Sequence, residues 1–86
     1  MAWEIKITQT AEKELSRIDK TEGKQIISYL RTRVALNPRQ FGKALKSNLS
    51  GLWRYRVGNY GVVCNIEDEK VSVLVIRIAH RKEVYK

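Results

Sequence analysis

The sequence predicts an α+β fold, a mainly antiparallel four-stranded sheet with an N-terminal helical hairpin packed on one face, in the order β-α-α-β-β-β. Three features lead there. Residues 51–85 contain three segments of strand character joined by two tight turns. Residues 11–34 carry two apolar stripes at helical spacing, and a short alternating segment precedes them.

In chain order, Trp3 to Thr8 alternates Trp3, Ile5 and Ile7 against Glu4 and Lys6, the period of a half-buried strand. Thr8 or Thr10 can cap the helix that follows, expected over about Ala11 to Ile18, with Ala11, Leu15 and Ile18 as its apolar stripe. Asp19 and Glu22 have capping-box-like spacing and start a second helix. Its inward stripe is Ile26, Ile27, Leu30 and Val34, and Asn37 with Pro38 ends it. The short connection makes the two helices an antiparallel pair, with Lys24, Arg31 and Arg33 on its solvated side. Arg39 to Ser50 lacks a long apolar period and reads as mostly loop with one short helical turn. Phe41, Ala44, Leu45 and Leu49 pin it to the body, and Lys43 and Lys46 point outward.

Trp53, Tyr55 and Val57 then alternate with Arg54 and Arg56, so a strand places both arginines on one face. A two-residue loop at Gly58 and Asn59 sets Val57 opposite Tyr60, Arg56 opposite Gly61, Tyr55 opposite Val62 and Arg54 opposite Val63. Gly61 therefore sits mid-strand among the arginines, where glycine costs backbone entropy and leaves space. A bulge, a close backbone approach and a missing functional side chain all fit that position. After a turn over Glu67 to Lys70, Val71 to Ile78 is apolar on both parities, which predicts a central strand covered at least partly on both sides. His80, Arg81, Lys82 and Tyr85 follow at the end of the sheet.

Eighty-six residues imply one domain, 1–86, with a modest core. The single cysteine, Cys64, rules out an internal disulfide and favours a reducing compartment. With neither a membrane-length apolar run nor a secretory h-region, the expected location is cytoplasmic, away from the membrane. Seventeen Lys and Arg against nine Asp and Glu give a formal charge of +8, which points to an anionic partner, with nucleic acid or an acidic protein first. Arg39 to Arg56 carries five of these positive charges and no negative one. One His and one Cys do not make a ligand cluster, and no phosphate-binding P-loop or dinucleotide fingerprint occurs. Neither a metal nor a cofactor is expected.

What remains is phosphate chemistry. An RNA 2′-hydroxyl can attack the adjacent phosphate without a metal if one group takes its proton. Cations must then stabilise the pentavalent phosphorus, and another group must protonate the departing 5′-oxygen. Arginine suits the stabilising role because it donates bidentately and hardly ever deprotonates. His80 can shuttle protons near neutrality, whereas Tyr85 or Lys82 needs a tuned pKa. Tyr85 can alternatively stack on a base.

The strand, two-helix, three-strand order, the basic approach ending in GLWRYRVGNY and the closing VLVIRIAHRKEVY resemble the small toxins of the RelE/ParE superfamily, in its RelE-like branch, over essentially the whole chain. The resemblance implies a toxin of a type II toxin-antitoxin system, held by a cognate RelB-like antitoxin in a heterotetramer that binds operator DNA. It further implies entry into the ribosome and cleavage of A-site mRNA, leaving a 2′,3′-cyclic phosphate and a 5′-hydroxyl. By motif, Arg54 and Arg56 take the paired basic positions, Arg81 the arginine after the last strand, Tyr85 the C-terminal tyrosine, and His80 a neighbouring position. Lys43, Lys46, Arg77 and Lys82 join Arg54 and Arg56 as expected RNA contacts. The departure is Gly61, where such toxins commonly carry a phosphate-holding arginine, so attenuated or lost activity is expected. A gyrase inhibitor of the ParE type and an inactive antitoxin-binding co-repressor are the alternatives on the same scaffold.

Overall fold

A computed structural model describes residues 2–45 and 52–80. Its centre is a five-stranded sheet in the order β1-β5-β4-β3-β2. The strands are β1 (Glu4–Ile7), β2 (Lys43–Ala44), β3 (Leu52–Val57), β4 (Tyr60–Glu67) and β5 (Ser72–His80). β1 runs parallel to β5, and every other pairing is antiparallel. Helices α1 (Gln9–Ser16) and α2 (Lys20–Tyr29), the latter continuing into a π-helical turn over Leu30–Val34, cover one face.

Local chemistry sets the helix ends. Thr8 accepts from the Ala11 N–H at 3.2 Å and donates to the Ile76 carbonyl at 3.2 Å, so one hydroxyl caps α1 and ties it to β5. Asp19 accepts from the Thr21 N–H at 3.1 Å and opens α2. α1 thus begins before Ala11 and closes at Arg17, leaving Ile18 beyond its end. Ala11, Ile26, Leu30 and Val34 from the helical layer meet Tyr55, Val57, Val62, Cys64, Val73, Val75 and Ile78 from the sheet, which fills the core.

The sheet has five strands rather than the four expected, because part of the segment read as loop pairs with β3. Gly42 adopts φ +70°, a left-handed conformation, and a Cβ there would meet the Arg54 carbonyl, with Tyr55 Cδ1 at 2.8 Å and Trp53 Nε1 at 2.9 Å. The bare glycine lets the chain lie against β3, and the Trp53 indole N–H donates to the Phe41 carbonyl at 2.6 Å. Lys43 and Ala44 then pair with Arg54 and Trp53. Ala44 is consequently exposed instead of pinning the segment inward. Leu49 and Lys46 lie outside the described residues.

The β3–β4 hairpin has the expected register, with Val57 opposite Tyr60 and Arg56 opposite Gly61, and Gly58 supplies the positive φ of its loop. Between β4 and β5 the pairing slips by one. Cys64 opposes Val75 while Val63 opposes Arg77, so Ile76 is an extra residue on β5. This bulge reverses the side-chain parity of everything after it. Val73 and Val75 face the helices, and so does Ile78, although it differs from them in parity.

Candidate nucleic-acid interface

The face of the sheet opposite the helices carries the arginines. Tyr55 and Val57 are drawn into the core, and the Tyr55 hydroxyl donates to the buried Pro38 carbonyl at 2.7 Å. With those side chains fixed inward, Arg54 and Arg56 project from the other face, roughly 7 Å apart along the strand. Lys43 lies directly beside Arg54 on β2 and shares its face. Lys43 and Arg56 are exposed and Arg54 is half-buried, so the β2–β3 side presents a cationic corner.

Gly61 lies in register between Arg56 and Ala79. It is buried, within the extended run of β4, and apart from the bulge at Ile76. Two small, buried residues thus lie side by side next to Arg56. Towards the other end the same face carries paired charges, Glu4 with Lys6 and Glu67 with Lys70, each at 3.8 Å. Glu67 accepts from the Ser72 hydroxyl at 2.8 Å, and Glu4 lies beside Ser72 on β1.

Two expected site residues are placed differently from the corner. Arg77 shares its face but reaches the α1 carboxylate of Glu14 at 3.1 Å, and the other Glu14 oxygen accepts from the Ile78 N–H at 2.9 Å. His80 pairs with Tyr60, and their rings meet edge-on with centroids 5.6 Å apart, so the imidazole lies on the helix side of the sheet. The bulge is the cause, since uninterrupted alternation from Leu74 would have left His80 among the arginines. Arg81, Lys82 and Tyr85 lie outside the described residues.

The resolved pKa shifts belong to the scaffold. Burial raises the Tyr55 hydroxyl far above the ordinary phenol value and pushes the Cys64 thiol up to about 12, so both stay neutral. Burial also raises Tyr29, against the opposing charge of Arg33. The Arg39 guanidinium, donating to both oxygens of Asp68 at 2.7 and 2.9 Å, holds that carboxyl below its usual range. Among the described residues no three His, Cys, Asp or Glu side chains gather as metal ligands, and no helix is long and apolar enough to cross a membrane. Among the described residues the corner offers donors for phosphate oxygens and no carboxylate base.

Sequence reading missed the parts played by Gly42, Trp53 and Glu14. A glycine between Phe41 and Lys43 was a usable signal of tight passage. Nothing in the local pattern marked Glu14 as the residue that meets β5.

Comparison with known proteins places this geometry among toxins. The family model for the ParE toxin of the type II toxin-antitoxin system parDE matches residues 5–85. Toxin RelG of Mycobacterium tuberculosis is 26% identical over 86 residues, covering 100% of this chain and 99% of that protein. Toxin RelE of the same organism is 32% identical over 84 residues, covering 98% and 87%. Among solved structures, the RelBE2 toxin-antitoxin complex from M. tuberculosis aligns with a TM-score of 0.89 at 25% identity, over 94% of this chain and 93% of that one. A free arginine-to-alanine double variant of the E. coli toxin RelE aligns with a TM-score of 0.81 at 27% identity, over 99% and 92%.

Proposed function

Because the chain belongs to the ParE toxin family of type II toxin-antitoxin systems, we propose that it acts as a RelE-like toxin, a ribosome-dependent endoribonuclease whose rate is lowered by Gly61. The cationic corner of Lys43, Arg54 and Arg56 on the helix-free face, with Gly61 in register beside Arg56, is the observation that carries this reading. In that reaction the 2′-oxygen of the A-site mRNA forms a bond to phosphorus as the bond to the 5′-oxygen breaks. A 2′,3′-cyclic phosphate and a 5′-hydroxyl result. Arg54 and Arg56 offset the charge that builds on the phosphoryl oxygens. Arg81 adds to them, with Lys82, Lys46 and Arg77 as outer contacts along the RNA. Proton transfer falls to Tyr85, Lys82 or a ribosomal RNA group, since guanidinium is a poor base and His80 lies on the other side of the sheet.

The toxin would work in the cytoplasm as one unit, residues 1–86, restrained by a RelB-like antitoxin with which it binds operator DNA. Several solved relatives are RelE toxins bound to RelB antitoxins, which supports that partner class.

A reconstituted translation reaction stalled with a defined A-site codon tests the proposal, comparing this chain with Gly61→Arg and mapping the cleavage ends. A lost phosphate contact costs a few kcal/mol in the transition state, or roughly 10²-fold in rate. Weak cleavage by the chain as it stands and clear recovery by Gly61→Arg are expected. Robust cutting by both would mean that Arg54, Arg56 and Arg81 suffice as the clamp. Silence from both folded proteins would overturn the missing-arginine account. A second reading, inhibition of DNA gyrase, is favoured by the ParE description of the matching family, and trapping of gyrase-cleaved DNA would establish it.

A further inference from the structure

Strand β2 is only two residues long, yet its placement is tightly determined. Gly42 passes against the Arg54 carbonyl at a positive φ, Phe41 is held by the Trp53 indole at 2.6 Å, and the Leu45 N–H donates to the Leu52 carbonyl at 2.9 Å. The product of these constraints is one side-chain placement, Lys43 directly across from Arg54. Like charges directly opposite each other destabilise a strand pair. Among the described residues no carboxylate pairs with Lys43 or Arg56. The chain therefore spends a left-handed residue and a buried-side indole bond to bring a third cation to a corner that already holds two. A bound polyanion could engage all three.

We infer that Lys43 is an RNA phosphate-binding residue in its own right, and that Gly42 and Trp53 are positioning residues that set it in register with Arg54 and Arg56. The inference rests on the RNA-binding reading of the helix-free face and deepens it. The RNA backbone is engaged along the β2–β3 side, where no carboxylate among the described residues lies between the cations, whereas Glu4 and Glu67 on the far side are each paired with a lysine.

Binding of a fluorescently labelled oligouridylate, measured by anisotropy across a series of salt concentrations, tests this. Each phosphate contact on single-stranded nucleic acid contributes about 0.7 to the slope of log K against log salt. Lys43→Gln is expected to make the slope shallower by about 0.7, and Lys43→Arg to preserve it. Gly42→Ala, which retains the lysine but displaces it, should lose the same slope increment as Lys43→Gln. Trp53→Phe, which keeps the ring but not the N–H, should do likewise, with thermal melts confirming that each variant is folded. Lys13→Gln on α1 should leave the slope unchanged. A wild-type slope in Lys43→Gln, alongside a reduced one in Arg54→Gln, overturns the inference and leaves the RNA-binding reading standing. A wild-type slope in folded Gly42→Ala and Trp53→Phe overturns the positioning roles. Failure of the unmodified chain to bind the oligonucleotide even at low salt overturns the RNA-binding reading, and the inference with it.

Discussion

Removing the Tyr55 hydroxyl tests how the scaffold holds the cationic strand. Tyr55 is fully buried, and its hydroxyl donates to the Pro38 carbonyl at 2.7 Å, fixing the segment after α2 to the centre of β3. Tyr55→Phe keeps the ring and its packing against Tyr29, where the centroids are 6.3 Å apart. The change removes a neutral hydrogen bond with a net contribution of about 1 kcal/mol and leaves a buried carbonyl without its donor, which costs about 1–3 kcal/mol. The hydroxyl term and the stranded carbonyl overlap, so the expected loss is about 2 kcal/mol. For a domain of this size that corresponds to a fall in Tm of roughly 8–16 °C. The half-buried Tyr29 provides the control, since burial raises its pKa but its hydroxyl makes no hydrogen bond among the described residues. Tyr29→Phe should change stability by less than about 0.5 kcal/mol. Urea and thermal unfolding of the three proteins decide the matter. If Tyr55→Phe melts within a degree or two of the parent, the Pro38 carbonyl does not depend on this bond and the account of how β3 is anchored is wrong.

Two further outcomes are expected. Cys64 is buried and its thiol is pushed from 9.0 up to about 12, so it stays neutral in the fold while the unfolded chain ionises near 9. The associated stability is whole below about pH 9 and is lost as pH rises towards 12. Urea midpoints should therefore fall from pH 8 to pH 10.5, and fall less in Cys64→Val; parallel declines would refute the assignment. Val71, a β-branched residue at φ 50° with its side chain exposed, is strained where the turn Asp68–Lys70 enters β5. Val71→Asn should raise stability by about 1 kcal/mol, seen as a higher Tm, and a lower one would show that the valine makes compensating contacts.

Alternation and turn chemistry made the hairpin legible. The Trp53-Arg54-Tyr55-Arg56-Val57 period and the Gly58-Asn59 loop gave the register of β3 on β4 residue by residue, and so placed Gly61 beside Arg56. Both helix caps were readable for the same reason, because Thr8 and Asp19 act on neighbours within three residues. Illegibility began where a contact was distant in sequence or broke the period. β2 depends on a glycine meeting a carbonyl twelve residues later, and two paired residues are too few to alternate. On β5 the apolar residues on both parities suggested cover on both faces. Part of that pattern instead records the extra residue at Ile76, which turns Ile78 inward and carries His80 to the helix side. A period can reveal a strand without revealing where it slips. The catalytic assignments to Arg81 and Tyr85 depend on residues beyond those described.

Glu14 has a consequence for the border of the sheet. β1 covers β5 only from Ser72 to Val75; beyond that the Thr8 hydroxyl occupies the Ile76 carbonyl and the Glu14 carboxylate occupies the Ile78 N–H. A helix side chain thus completes the hydrogen bonding that a longer first strand would otherwise supply. Those two β5 groups are therefore not available to a foreign strand. At this stretch of β5, contact with another chain is thereby left to side chains and not to backbone pairing.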